Sequence, residues 1–171
     1  MAVYTTNWQH TDHRLGLQGI QETSTTQKHA LGTIAHAKDA GSNLNGVGEF
    51  VYAKGVANTA VGSWVTFHED DWSTTLLAAN DIGQVGVAMS ANVASGYGWY
   101  QIKGKAVGLA LTGYADNGLV YATATAGSVD DAVVSGDRVK KAIGASALDA
   151  PATGFAEFEL DRPFMDDGSS A

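Results

Sequence analysis

Residues 85–102 read VGVAMSANVASGYGWYQI, two apolar runs joined by a turn of small residues. Valine, isoleucine and aromatic residues favour strands, and glycine supplies the backbone freedom that a tight turn requires. Residues 143–160, IGASALDAPATGFAEFEL, repeat this arrangement at an offset of 58. The aligned residues share size or aromatic character: Val85 with Ile143, Gly86 with Gly144, Gly96 with Gly154, Tyr97 with Phe155, Tyr100 with Phe158 and Ile102 with Leu160. The sequence therefore predicts two similar β-units.

A second repeat pairs FVYA, residues 50–53, with LVYA, residues 119–122, at an offset of 69. The insertion HEDDWSTTLLA, residues 68–78, accounts for the 11 extra residues in the first copy. Short β-branched and aromatic runs separated by glycine continue between these repeats, which is typical of strands and turns. Strands are predicted over Glu49–Lys54, Ser63–Phe67, Gly83–Ser90, Gly98–Lys103, Ala106–Thr112, Leu119–Thr125, Arg138–Ala147 and Gly154–Leu160.

The first 45 residues differ from the rest of the chain in composition and in the spacing of their apolar residues. They are rich in Thr, Gln, His, Asn and Gly, and their apolar residues follow neither the period of a strand nor that of a helix. We expect an all-β fold, a small barrel or sandwich built from two similar β-units, with a long extended N-terminal arm and one or two short helices, over Asp70–Ala79 and Ser128–Val134. The expected organisation is an arm at 1–45, a β-rich core at 46–163 and a flexible C-terminal tail at 164–171.

Composition excludes several classes of function. The 171 residues include 10 Lys and Arg against 18 Asp and Glu, a net charge of −8, which argues against nucleic acid as a partner. The absence of cysteine excludes thiol nucleophiles, disulfides and cysteine-ligated metals. The chain has neither a run of about 18 apolar residues, as a membrane helix requires, nor a basic-then-apolar leader. We therefore expect a protein made in the cytoplasm, with no membrane partner.

Motifs for catalysis are missing from the sequence. It contains no phosphate-binding loop, no dinucleotide fingerprint, no nucleophile elbow and no H-E-x-x-H. Three acidic or histidine-rich groups are weak candidates for metal binding or glycoside chemistry, and each is better explained as a solvated or contact surface: His10, Asp12 and His13; residues 68–71 with Asp166 and Asp167; and Asp130, Asp131 and Asp137. The sequence predicts a protein that is not an enzyme, with no catalytic residue, cofactor or metal.

Tryptophan placement suggests where a partner binds. Trp64 and Trp99 lie in apolar runs and are expected in the core, whereas Trp8 and Trp72 lie in polar contexts, where an exposed indole is a common interface anchor. The four indoles would alternatively form a platform for stacking carbohydrate. The predicted partner-contact residues are Trp8, His10, His13, Arg14, Leu15, Leu17, Ile20 and Trp72.

Three segments resemble head proteins of tailed bacteriophages: GVGEFVYAKGVANTAVGSWVTF from Gly46, DIGQVGVAMSANVASGYGWYQIKGKA from Asp81, and GLVYATATAGSVDDAVVSGDRVKKAIGASALDAPATGFAEFEL from Gly118. They are most similar to capsid decoration proteins, also called cement or head-stabilising proteins. The resemblance covers residues 46–160, about two-thirds of the chain, and consists of structural glycines and alternating apolar residues. The long arm and the insertion at 68–78 depart from compact members of the family.

The resemblance implies a non-enzymatic virion protein. Such a protein would bind the outside of the capsid, bridge subunits of the major capsid protein and stabilise the shell, and it would assemble as a homotrimer. The alternative is a glycan- or receptor-binding module on a virion or cell surface.

Overall fold

The computed structural model describes residues 7–12, 16–41, 45–145 and 154–166. Within these residues the chain is all-β, as predicted, and no helix is present. The strands of this part of the chain are β1 (Trp8–His10), β2 (Ile34–Asp39), β3 (Val47–Lys54), β4 (Trp64–Phe67), β5 (Thr74–Leu76), β6 (Gly83–Ala88), β7 (Tyr97–Leu109), β8 (Leu119–Ala122), β9 (Val129–Asp130), β10 (Arg138–Gly144) and β11 (Phe155–Met165).

The strands form one antiparallel sheet in the order β1-β2-β3-β7-β6-β11-β10-β8-β9. Strand β4 pairs with β6 and carries β5 on its other side, and β7 also pairs directly with β11. The two ends of the order, β1 and β9, are not paired with each other among the described residues. Of the two expected architectures, a small barrel or a sandwich, the barrel is therefore wrong.

Seven of the observed strands overlap predicted ones, because their β-branched and aromatic residues bury well on a pleated surface. The predicted strands Gly98–Lys103 and Ala106–Thr112 are parts of one strand, β7. Gly104 lies between them with φ of +93°, a conformation that glycine adopts without steric cost, and the strand continues through it without a turn.

Both predicted helices are wrong. Residues 74–76 of the first form β5, and residues 129–130 of the second form β9. In the first of these segments, the Ser73 backbone N–H and hydroxyl both donate to the Asp71 carboxylate, at 2.9 and 2.7 Å. These local hydrogen bonds satisfy a turn and offer the backbone an alternative to a helix.

The extended-arm prediction is also wrong for residues 7–12 and 16–41. Strand β1 pairs with β2, and β2 pairs with β3, so both belong to the main sheet. The segment before β2 covers one side of that sheet and completes a core cluster, in which Leu17, Leu31 and Tyr97 are partly buried. The buried members of this N-terminal cluster are Trp8, Ile20, Ala35, Ala37, Phe50, Tyr52, Met89 and Trp99.

Strands β3 and β7 are apolar on both faces. Phe50, Tyr52 and Trp99 point into the N-terminal cluster, while the alternate positions Val51 and Tyr100 point into a second cluster against β4 and β6. Residues on opposite faces of a strand alternate, so two consecutive apolar positions show that both faces are covered. A third cluster lies among β4, β6 and β8–β11 around Trp64 and Phe158.

Both copies of the predicted repeat are antiparallel hairpins, β6–β7 and β10–β11. Their registers differ, since Val87 pairs with Gln101 in the first hairpin, whereas Gly144 pairs with Phe158 in the second. The repeat does not extend to the third strand, because β3 pairs with the second strand of its hairpin and β8 pairs with the first strand of the other. The predicted flexible tail begins too early, since β11 continues to Met165. Residues 167–171 lie outside the described chain.

Gln18 fastens the N-terminal segment to the sheet. The side chain is buried, with Nε2 donating to the carbonyls of Glu22 and Tyr97, and Oε1 accepting from the Tyr52 hydroxyl. Its backbone carbonyl accepts from the Trp99 indole at 2.9 Å, and its backbone N–H donates to His29 Nε2 at 3.0 Å. Every polar group of this buried residue is satisfied, which is the condition for a polar residue to stabilise a core.

The Gln18–His29 hydrogen bond makes stability depend on pH. His29 Nε2 can accept the hydrogen bond from the Gln18 N–H only when that nitrogen carries no proton. Burial, followed by the nearby His10 and Lys28, lowers the pKa of His29 below 6.5. Between the lowered pKa of the folded chain and 6.5, the unfolded chain binds more protons than the folded chain. The stability that neutral His29 contributes is therefore fully present above pH 6.5, and it falls as the pH drops from 6.5 toward the folded-state pKa. We expect the urea midpoint to fall on acidification from about pH 7.5 to about pH 5.5. The fall in urea midpoint should be smaller in H29Q than in the control H68Q. Equal falls in the two variants would show that His29 is not the source of the pH dependence.

Candidate functional site

Four of the eight predicted contact residues lie in or against the protein's own core. Trp8 and Ile20 are buried in the N-terminal cluster, and Leu17 is half-buried against it. His10 Nε2 lies 2.8 Å from the Gln18 carbonyl oxygen, and its ring meets Trp99 edge to face. These four residues hold the N-terminal segment in place, so the prediction that they grip a partner through an arm is wrong.

Trp72 and the remaining predicted contacts lie elsewhere. The Trp72 indole packs over Gly32, where a Cβ would approach it to 2.6 Å, and beside Phe67. It is half-buried, as an internal packing residue. His13, Arg14 and Leu15 lie outside the described residues.

An exposed carbohydrate platform does not form from the four tryptophans. Trp64 and Trp99 are in the core, as predicted, and Trp8 is also buried. Asp12, a predicted partner of His10 in a metal site, instead accepts the backbone N–H of His36 at 2.9 Å. Among the residues that the structure describes, no group of three or more His, Asp or Glu side chains is placed to hold a metal ion.

The most unusual surface is the outer side of β3, β7, β11 and β10, where each strand is irregular. The pairing of β3 with β7 shifts between Glu49 and Phe50, opposite Gln101 and Lys103 of β7, and the next residue of β7, Gly104, has φ of +93°. The pairing of β10 with β11 shifts between Lys140 and Ala142. We call this surface the bulged face; it comprises Val47, Glu49, Lys103, Lys105, Arg138, Lys141, Ile143, Glu159, Asp161 and Arg162.

Two basic residues of the bulged face have a left-handed backbone. Lys141 has φ of +59° and Arg162 has φ of +53°. Such a conformation costs a residue with a Cβ about 1–3 kcal/mol and concentrates at functional sites. Bulges re-aim the side chains that they carry. Lys141 and Arg162 are both exposed, so each combines a left-handed backbone with a cation that faces solvent.

Glu49 is the centre of an ion-pair network on this face. Its Oε2 accepts from Arg162 Nη2 at 2.9 Å and from Nε at 3.3 Å. Its Oε1 lies 3.7 Å from His36 Nε2 and 3.9 Å from Lys103 Nζ, and Lys103 also lies 3.8 Å from Asp161 Oδ1. Exposed pairs are weak singly, but a network fixes the positions of its members. Arg162, which has a left-handed backbone, thus forms hydrogen bonds through its guanidinium to the Glu49 carboxylate of β3.

A buried ion pair lies beside the network. Lys105 Nζ contacts the carboxylate of Glu157, whose side chain is fully buried. Burying such a pair costs desolvation of both charges, so its contribution to stability is small, while loss of one partner is costly. Because the Glu157 side chain is fully buried, its carboxylate fixes the position of the Lys105 ammonium on the bulged face.

Two shallow grooves, each of about 370 Å³, run across the bulged face and share Glu159 and Leu160. The β3–β7 groove is lined by the paired charges of the network, including Glu49 and Lys103. The β8–β10 groove is different, because neither Arg138 nor Lys141 has an ion-pair partner among the described residues. Its lining is Leu119, Arg138, Lys141, Ala142, Ile143, Glu159, Leu160 and Asp161.

Positive charge is concentrated here in an otherwise acidic chain. Strands β7, β10 and β11 carry six of the ten Lys and Arg residues but only three acids, although the net charge of the chain is −8. The basic residues of these strands are Lys103, Lys105, Arg138, Lys140, Lys141 and Arg162. Sequence reasoning missed the site, although this clustering of KGK, RVKK and DRP in an acidic chain was a usable signal.

The comparisons with known proteins do not identify a family. No protein-family model, no curated protein and no solved structure matches the chain. The described part of the chain has no helix with the length and apolar character needed to cross a membrane.

Proposed function

We propose that the chain is a non-enzymatic bacteriophage head decoration protein, which binds the outside of the capsid through the bulged face and bridges subunits of the major capsid protein. The observation that supports it best is the pair of strained cations, Lys141 and Arg162, on an exposed face of a continuous sheet. A sheet face is a rigid support for a binding surface. The resemblance of residues 46–160 to decoration proteins supports the same function.

The mixed charge of the bulged face suits a contact between folded proteins. Charged groups across an interface fix register and partner choice more than they add affinity. Exposed apolar residues lie among the charges, Val47 at 61% and Ile143 at 40% exposure, and supply area that water leaves on docking. We assign the contact to the sheet itself, because β1 and β2 belong to that sheet and residues 16–31 lie against it.

A homotrimer makes such a contact effective. Several weak copies of one contact, joined in one oligomer, bind a repeating lattice with a far higher apparent affinity than one copy. A cyclic trimer uses two different patches per subunit, which leaves a third surface free for the shell. We assign the bulged face to the shell and place the protein on the capsid exterior.

Capsid binding provides the test. Capsids that lack the protein are mixed with the purified chain. We expect the chain to sediment with these capsids, and the mixed capsids to withstand a higher temperature than capsids without the chain. The variant R162E places an anion against Glu49 and removes the cation from the face, so we expect at least about a tenfold loss of capsid affinity. K28E has the same charge change in an exposed loop outside the face and serves as the control.

Two outcomes would overturn the proposal. One is absence of the chain from purified virions. The other is equal capsid binding by R162E and K28E, with both variants folded by circular dichroism. Retention on a glycan array without capsid binding would favour the alternative of a glycan-binding module.

A further inference from the structure

We propose that the β8–β10 groove binds an extended segment of a partner protein in which acidic and apolar residues alternate. This inference rests on the proposed function and deepens it, because it assigns the chemistry of the capsid segment that docks there. The groove offers two cations that have no ion-pair partner in the described part of the chain, an apolar floor and an interrupted strand ladder.

The cations define the charge of the occupant. Arg138 and Lys141 are both exposed and line the groove, and neither is neutralised within the described chain. Lys140 on the same strand differs, since its ammonium is paired with Asp166. Charged groups that are left unpaired beside a groove are suited to carboxylates from another molecule, with which they form charge-assisted hydrogen bonds.

Lys141 is held over the groove by its surroundings. Its left-handed φ of +59° occurs at the shift in β10–β11 pairing, and its ammonium lies 5.9 Å from the centre of the Phe164 ring. Lys140 Nζ lies 5.8 Å from the same ring. A cation placed by a bulge and an aromatic ring loses little side-chain freedom when it binds, which favours recognition.

The floor of the groove supplies the apolar part. Leu119 and Ile143 are 38% and 40% exposed, although they pair with each other across β8 and β10. Apolar side chains facing solvent from adjacent strands gain stability when a partner side chain covers them. A segment that alternates acidic and apolar residues fits this groove. Successive side chains of an extended chain point to opposite sides, so all of its residues of one kind lie on the same side.

The strand ladder is interrupted beneath the groove. Arg138 pairs with Tyr121 and Ile143 pairs with Leu119, so two residues of β8 advance while five residues of β10 do. The additional residues of β10 include Lys141 and Ala142, which line the groove. A segment of about four or five extended residues matches this stretch of β10.

Nucleic acid is the less favoured occupant. Glu159 and Asp161 line the same groove and repel a phosphate backbone, whereas an alternating peptide can point its acids toward the cations and away from these carboxylates. The net charge of −8 adds long-range repulsion of a polyanion.

Peptide titration of the full chain tests the inference. The probes are three capped pentapeptides, alternating Glu-Val, Lys-Val and Glu-Ser, and a five-residue thymidine oligonucleotide. We expect amide shifts in NMR spectra for Leu119, Arg138, Lys141 and Ile143 with the Glu-Val peptide. The Glu-Ser peptide should bind several-fold more weakly, and the Lys-Val peptide and the oligonucleotide should not bind. Tighter binding of the oligonucleotide, or equal binding of the two valine peptides, would overturn the inference.

Three variants locate the binding. R138E and K141E should each weaken the Glu-Val peptide on the order of tenfold, while K28E should leave it unchanged. K141G removes the cation and relieves the left-handed strain, so it should lose affinity without loss of melting temperature. Native affinity in K141G would exclude a role for Lys141 in binding.

The same variants separate this inference from the proposed function. Capsid binding that survives in R138E and K141E but fails in R162E overturns the groove and leaves the decoration function standing. If the chain binds the Glu-Val peptide but never associates with capsids, the decoration function is overturned and the assignment of the groove stands.

Discussion

Removal of residues 1–45 is expected to abolish cooperative folding of the rest of the chain. An arm would leave the core intact when removed. In this protein the segment contains β1 and β2 and covers Phe50, Tyr52 and Trp99, all fully buried. A chain that starts at Gly46 would expose these three aromatic side chains on one face of β3 and β7.

The size of the effect follows from that exposure. Each side chain of this size contributes about 1.5–3 kcal/mol when buried, so exposing three lowers stability by roughly 5–9 kcal/mol. A typical domain has a free energy of unfolding of about 5–15 kcal/mol. The truncated chain also presents a contiguous apolar surface, which promotes aggregation.

Urea unfolding followed by near-ultraviolet circular dichroism checks this prediction, together with binding of a hydrophobic dye. The matched full-length controls are W8A and I20A, which should unfold cooperatively with a stability lowered by about 2–5 kcal/mol each. A truncated chain that is monomeric and unfolds as sharply as the full chain would show that residues 1–45 are an appendage after all.

The sequence was sufficient for the strands whose residues repeat locally. Strands β3, β6, β7 and β11 are apolar runs bounded by glycine, and strand propensity and turn signals identify them without knowledge of their neighbours. Strands β1 and β2 are different, because they depend on pairing with β3 and on cover from residues 16–31, whose anchors have no period. Long-range pairing of this kind leaves no local pattern to read.

The candidate site was harder to predict for a related reason. Residue types indicate charge, but the placement of Lys141 and Arg162 depends on a left-handed backbone that neither residue favours. Both residues lie where the pairing of β10 with β11 is interrupted, which depends on residues distant in sequence. Likewise, Arg162 meets Glu49 across 113 positions of sequence.

Substitution of Gly104 by alanine is expected to be the most damaging single change on the bulged face. A Cβ at this position would lie 2.6 Å from the Val47 carbonyl oxygen and 3.2 Å from Gly48 Cα, both of which are backbone atoms. The φ of +93° adds strain for any residue with a side chain. Strain of about 1–3 kcal/mol from each source gives an expected loss of roughly 2–6 kcal/mol.

Gly113 provides the matched control. It has a similar φ of +99°, but a Cβ there meets no atom within 4 Å. G113A therefore measures the cost of the backbone conformation alone, about 1 kcal/mol or slightly more. The difference between G104A and G113A in urea unfolding isolates the cost of separating β7 from β3, and equal losses in the two variants would contradict the close approach.

The consequence for function follows from the neighbours of Gly104. Lys103 and Lys105 flank it and make ion pairs with Glu49 and Glu157, which come from β3 and β11. A β7 strand that moves away from Val47 carries both ammonium groups with it and opens the β3–β7 groove. We therefore expect G104A to lose capsid affinity at temperatures where it is still folded, whereas G113A keeps it. If G104A is folded and binds as the native chain does, the geometry of the bulge has no part in docking.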